Sequence, residues 1–125
     1  MSDRLSSSEP AEASVSVVIV NWRAPAETLG AVDGLRMQTI SPRRIYVVDN
    51  GSGDDSMDQL HAALSSDPRV VLLANTQNLG FGGGCNRALT EAIDDGSDFV
   101  WLLNNDARPD PDCLAALLDR ARADG

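Results

Sequence analysis

Phe99-Val100-Trp101-Leu102-Leu103 runs without a polar break into Asn104-Asn105-Asp106. A continuous apolar run of this kind marks a strand buried on both faces, which is how the parallel sheets of α/β proteins read. In open sheets of that class, ligands sit in the crevice beyond the carboxyl ends of the strands, so Asp106 is expected at the ligand edge. Ile45-Tyr46-Val47-Val48 ends the same way, in Asp49-Asn50-Gly51-Ser52. Two carboxylates thus finish two strands, and one hard cation or one polar ligand could use both.

The rest of the chain extends this pattern. Val15 to Asn21 reads as a first strand, followed by Trp22-Arg23-Ala24-Pro25 and a helix carrying Leu29, Val32 and Leu35 at helical spacing. The strand Ile45 to Asp49 is followed by the capping cluster Asp54-Asp55-Ser56 and a helix with Met57, Leu60 and Leu64 on one face. Val70 to Ala74 is a third strand, after which Gly82-Gly83-Gly84 is expected to turn the backbone into a helix striped by Cys85, Ala88, Leu89, Ala92 and Ile93. The Phe99 strand leads to Pro109-Asp110-Pro111, with Asp110 expected as N-cap and Pro111 at the first helical position. The stripe of that last helix is Leu114, Leu117, Leu118 and Ala121. Strand and helix alternate throughout, which with right-handed crossovers gives a Rossmann-like α/β fold: a parallel sheet with helices on both faces.

Composition narrows what this fold can serve. The 125 residues carry 10 basic and 19 acidic side chains, a formal net charge of −9. That field repels nucleic-acid backbones and anionic membrane surfaces, and the densest basic pair, Arg43-Arg44, reads as a solvated loop. An anionic nucleotide is still admissible where a divalent cation or helix N-termini neutralise its phosphates. Cys85 and Cys113 stand in no Cys-x-x-Cys or Cys/His cluster and read as small core hydrophobes of a reducing, cytoplasmic compartment. Residues 1–14 are rich in Ser, Glu and Asp and read as a disordered lead, with neither the basic start nor the apolar core of a signal peptide. No apolar run approaches the roughly 20 residues that span a bilayer.

The candidate site residues each carry two readings. Asn104-Asn105-Asp106 offers oxygen ligands of the kind Mg²⁺ or Mn²⁺ takes, and is equally an ordinary turn that caps its own backbone. Asp49 can accept from the N–H of a pyrimidine base, or only from its own turn. Gly80-Phe81-Gly82-Gly83-Gly84 is not a dinucleotide fingerprint, because it follows the third strand rather than the first and Cys85 stands where the last glycine is required. Its N–H groups, with Asn86 and Arg87 behind them, could face an anion, or Arg87 could be merely solvated. His61 lies mid-helix, away from any strand end, and gives no support to a Ser-His-Asp or Cys-His mechanism. A phosphoacceptor receiver domain fares poorly because the first strand ends in Asn21-Trp22 rather than an acidic pair.

Four stretches in register resemble the N-terminal half of family 2 glycosyltransferases of the GT-A fold. They are Val17-Val18-Ile19-Val20-Asn21-Trp22, Val47-Val48-Asp49-Asn50-Gly51-Ser52, Asn78-Leu79-Gly80-Phe81-Gly82-Gly83-Gly84-Cys85-Asn86-Arg87 and Leu102-Leu103-Asn104-Asn105-Asp106. The third and fourth are most similar to a bacterial rhamnosyltransferase-like branch that uses dTDP-rhamnose in building cell-envelope polysaccharides. The resemblance implies that Val20 and Asn21 lie at the base and ribose of a dTDP- or UDP-sugar donor and that Asp49 accepts from the pyrimidine. It implies that Gly82, Gly83, Asn86 and Arg87 lie beside the diphosphate. Asn104-Asn105-Asp106 occupies the family's Asp-x-Asp position, where the last Asp holds Mg²⁺ or Mn²⁺; here the first Asp is Asn104. Transfer with inversion to a saccharide or lipid-linked acceptor is implied, with the general base and acceptor site expected past Gly125, in a further segment or a second chain. The whole could sit peripherally at the inner face of the cell membrane. The alternative is a non-catalytic nucleotide- or partner-binding module derived from the same half-fold.

Overall fold

Val17 and Ile19 point to one face of the first strand and Val18 and Val20 to the other, and this alternation organises the molecule. In the structure, a computed structural model that describes residues 14–124, strands and helices alternate as the sequence predicts. They are β1 (Val15–Asn21), α1 (Pro25–Arg36), β2 (Arg44–Asn50), α2 (Ser56–Leu64), β3 (Val70–Asn75), α3 (Gly80–Asp94), β4 (Phe99–Leu103) and α4 (Cys113–Asp124). The strands form one parallel sheet in the order β3-β2-β1-β4. Residues 1–13 of the expected lead lie outside the described residues. Ser14 belongs to the fold: its carbonyl accepts the Asp98 and Phe99 N–H groups at 3.0 Å.

Val17, Ile19, Ile45, Val47 and Leu103 bury one face of the sheet against Ala31, Val32 and Leu35 of α1 and Leu60 and Leu64 of α2. Val18, Tyr46, Val48 and Leu73 bury the other against Cys85, Ala88 and Ala92 of α3. Helices therefore cover both faces, as expected. At about 1.5–3 kcal/mol for each fully buried aliphatic side chain, these two layers dominate the stability of the domain.

Three expectations are corrected. The first concerns β4, which is not buried on both faces: Trp101 and Leu103 pack inward and Val100 touches the α3-side core, but Leu102 is 43% exposed, because α3 packs chiefly over β1 and β2. Ile93 and Leu117, expected in helical stripes, are exposed as well. Secondly, the glycine run does not precede α3 but forms its first turns, and at Gly84 the helix lies too close to the end of β2 to leave room for a side chain. A Cβ on Gly84 would stand 2.9 Å from the Asn50 amide nitrogen. The third correction is that α4 starts at Cys113 rather than Pro111 and is not capped by the Asp110 side chain. Gln38, at the end of α1, bridges to it instead, accepting the Leu114 N–H on Oε1 at 2.9 Å and donating from Nε2 to the Asp110 carbonyl at 2.8 Å.

Candidate functional site

The strand register dictates which side chains meet at the carboxyl edge. Asn21 pairs with Asp49 across β1 and β2, and Ile19 pairs with Leu103 across β1 and β4, which brings the residues just past Leu103 level with the end of β1. The helices that follow β1 and β3 start at this same edge. Between these elements lies an open cavity of about 420 Å³, lined by Val20, Trp22, Glu27, Phe81 and the turn Asn104-Asn105-Asp106, among others. This is a size in which small polar ligands are commonly bound. The N-cap and first turn of α1 contribute Ala24 and Glu27 to the wall, and the first turn of α3 contributes Gly80 and Phe81, so two helix N-termini border it; the Gly80 N–H is itself bound by Asn78 Oδ1 at 2.8 Å.

Beneath the cavity runs a chain of buried polar groups. Asp49 is 6% exposed, and its Oδ1 accepts from Asn21 Nδ2 at 3.0 Å and from the Ser52 hydroxyl at 2.5 Å. Thr28, fully buried on α1, donates its hydroxyl to Asn21 Oδ1 at 2.7 Å and accepts from Asn105 Nδ2 at 3.3 Å. Arg23 closes the other end, its N–H on Ser52 Oγ at 2.9 Å and its Nε on the Ser52 carbonyl at 2.8 Å. These bonds hold Arg23 at φ 53°, a left-handed conformation uncommon for a residue with a side chain. Its guanidinium lies 4.8 Å from the ring centre of Trp22, which lines the cavity.

A second node fixes the α3 side. Asn50 accepts on Oδ1 from Asn75 Nδ2 at 3.1 Å and from the Leu79 N–H at 3.2 Å. Its Nδ2 donates to Asn78 Oδ1 at 3.1 Å and to the Gly80 carbonyl at 3.0 Å. One buried amide thus ties the end of β2 to the last residue of β3 and to the entry of α3.

Not all sequence candidates meet at the cavity. Val20, Asn104, Asn105 and Asp106 line it. Asn21 and Asp49 lie below its floor in the buried chain, so they act on its wall through Thr28 and Asn105. Gly82 and Gly83 are in the first turns of α3 but outside the lining, and Asn86 and Arg87 are exposed farther along the same helix. Arg87 donates to the Ala74 carbonyl at 3.2 Å and pairs with Glu91 at 3.7 Å. Trp22, Phe81, Asn50 and Asn78, which stand in the quoted motifs without an assigned role, line the cavity, and so does Glu27, which the sequence reading did not pick out. A signal for Glu27 existed: the first turn of any helix that directly follows a parallel strand lies at the carboxyl edge.

The donor set at the β4 turn fits a hard divalent cation in kind, offering the Asp106 carboxylate and the amide oxygens of Asn104 and Asn105, with the Glu27 carboxylate on the same cavity. Among the described residues there is no group of three or more His, Cys, Asp or Glu side chains able to hold a metal alone. A cation here would need oxygens from the ligand it accompanies, as is usual for Mg²⁺ and phosphates.

Comparison with known proteins agrees with this architecture. A family model described as glycosyl transferase family 2 matches residues 16–125. The chain belongs to that family. It is 36% identical over 107 residues to the galactofuranosyltransferase GlfT1 of Mycobacterium tuberculosis, covering 84% of this chain and 34% of the relative. It is 35% identical over 95 residues to that organism's N-acetylglucosaminyl-diphospho-decaprenol L-rhamnosyltransferase, covering 70% of this chain and 30% of the relative. The structure of the mannosyltransferase PcManGT from Pyrobaculum calidifontis, in complex with GDP-Man and Mn²⁺, superposes with a TM-score of 0.72 at 22% identity. That superposition covers 89% of this chain and 35% of the mannosyltransferase, and it speaks to the shared GT-A fold alone. The chain thus spans about a third of the length of the relatives it matches. Among the described residues, no helix is long and apolar enough to cross a membrane.

Proposed function

We propose that this family 2 chain is the donor-binding part of a glycosyltransferase that uses a pyrimidine nucleoside diphosphate sugar. The acceptor would be a saccharide or lipid-linked saccharide of the cell envelope. The observation that carries this reading is the cavity itself. Its wall combines the carboxylate turn of β4 with two helix N-termini, so an oxygen-rich cation site and an anion-attracting surface face one volume. In a chain of net charge −9, such local compensation is what a diphosphate needs in order to bind. Both mycobacterial relatives are named as glycosyltransferases, and one as a rhamnosyltransferase, which supports dTDP-rhamnose as the donor to test first.

In this reading Val20 and Trp22 offer an apolar wall to the base, while Asp49 acts from below through Asn21. Asn104, Asn105 and Asp106 would hold Mg²⁺ or Mn²⁺, which when bound supplies charge stabilisation to the departing nucleoside diphosphate. Inverting transfer needs a carboxylate to take the proton of the attacking hydroxyl, and that base and the acceptor site we place past Gly125, in a further segment or a second chain. A cytoplasmic location, peripheral at the inner face of the membrane, would suit a soluble nucleotide donor and a lipid-linked acceptor. Calorimetric titration of dTDP, UDP and GDP in the presence of Mn²⁺ tests the donor class. The pyrimidine diphosphates are expected to bind more tightly than GDP, and equal affinities would remove base selection from Asp49 and Asn21. No heat from any of them would leave the non-catalytic module as the better account.

A further inference from the structure

We infer that Thr28 is a positioning residue that fixes which end of the Asn105 side chain faces the cavity, and that the end it presents is the oxygen. Hydrogen-bond logic propagates from the anion outward. The Asp49 carboxylate can only accept, so the Asn21 amide must turn Nδ2 toward it, at 3.0 Å. Asn21 then shows Oδ1 to Thr28, and the single hydroxyl proton of Thr28 is spent on that oxygen at 2.7 Å. Thr28 Oγ1 is left with lone pairs alone. Its other neighbour must donate, and Asn105 does so through Nδ2 at 3.3 Å.

With Nδ2 committed to the interior, Oδ1 of Asn105 is the amide atom turned to the cavity that this residue lines beside Asp106. Every donor in the sequence Asn105, Thr28, Asn21 points toward Asp49, so a buried negative charge on β2 is read out on β4 as an exposed acceptor. A free asparagine offers either end to a ligand, and its amide donors would repel a cation. This one is set to accept, from a divalent cation or a ligand hydroxyl, which deepens the proposed function and rests on it for the cation. The orientation itself stands on the hydrogen bonds alone. Thr28 is suited to the task because a helix side chain that is fully buried has no water with which to exchange its partners.

The test compares the unaltered chain with Thr28→Val, which keeps the shape and removes the hydroxyl, and Thr28→Ser, which restores it. The first readout is the side-chain amide of Asn105 by NMR. In the unaltered chain its Hδ2 protons are expected to show a through-space contact to the Thr28 methyl group; the absence of that contact overturns the inference whatever the variants do. In Thr28→Val the hydrogen-bonded Hδ2 resonance is expected to move upfield, and in Thr28→Ser to stay. The second readout is dTDP affinity with Mn²⁺ and with EDTA. Groups that orient a ligating side chain are typically worth about 10–100-fold in metal affinity. Thr28→Val is therefore expected to lose about tenfold of the Mn²⁺-dependent affinity while the affinity in EDTA is kept. Equal loss in both conditions would make Thr28 a packing residue only, and would overturn the inference. If the unaltered chain binds dTDP equally with and without Mn²⁺, the cation reading fails, and the NMR result still decides the orientation.

Discussion

Tyr46 and Asp95 tie the α3-side core to pH through one hydrogen bond. Tyr46 is 3% exposed in the α3-side core, and its hydroxyl donates to Asp95 Oδ2 at the turn between α3 and β4. Burial first, and then the bond to Asp95, push the Tyr46 phenol well above its ordinary range. Burial opposes ionisation of Asp95 too, but donors from Tyr46 and Ser97 and the nearby Arg43 outweigh it and hold the carboxyl below its ordinary value. A carboxylate depressed in the folded state contributes stability that is present above its unfolded pKa and lost as pH falls through the folded value. Tyr46→Phe is therefore expected to cost about 1.5–3 kcal/mol at neutral pH, the usual worth of a hydrogen bond to a charged group. That cost should shrink to about 0.5–1.5 kcal/mol, the worth of a neutral hydrogen bond, well below the carboxylate range. Urea unfolding of both proteins at the two pH values checks it, and a cost unchanged in acid would show that Asp95 is not the partner that matters.

Among the elements, α3 carries the most specific expectations, because its glycines are not equivalent. At Gly82 a Cβ would meet nothing within 4 Å, so Gly82→Ala should stabilise the helix by about 0.5–1 kcal/mol through backbone entropy. Gly84 is buried against Asn50, where an added Cβ would stand 2.9 Å from Nδ2, and Gly84→Ala should destabilise by about 1–3 kcal/mol. Thermal melting of the two variants distinguishes them, and a like effect from both would contradict the packing described here. The element pattern was legible in the sequence because hydrophobic periodicity is local: β1, β2, β3 and β4 stand within a residue or so of where their apolar runs placed them. What was not legible is what depends on distant partners. Gln38 bridges to the start of α4 across more than seventy residues, and Asn50 anchors the entry of α3. Neither contact leaves a trace in local spacing. Asp106 was readable for the same reason as the strands, since it follows one directly. The buried position of Asp49 and Asn21, one layer below the cavity, was not, because a strand end shows which edge a residue reaches but not whether its side chain stops short of the surface.

For the molecule as a whole, the proposed function divides labour: the described domain would present the donor cavity, and the base that would activate an acceptor would lie outside it. General-base help is typically worth about 10²–10⁴ in rate. The 125-residue chain alone is therefore expected to hydrolyse a dTDP- or UDP-sugar slowly and to transfer the sugar to an added saccharide or lipid-linked acceptor little or not at all. Chromatographic detection of a transferred product at a rate well above hydrolysis would show that the base lies within these residues, with Glu27 on the cavity wall the first side chain to substitute.

The central claim is that the Asp106 turn and the helix N-termini hold one nucleoside diphosphate together with a divalent cation. Isothermal titration of dTDP into the chain with Mn²⁺, with EDTA, and into Asp106→Asn with Mn²⁺ tests it most directly. Clear binding is predicted in the first case and a loss of about tenfold or more in the other two, since even groups that only orient a metal's ligands are typically worth about 10–100-fold in metal affinity. Equal heats in all three titrations, or none in the first, would contradict it.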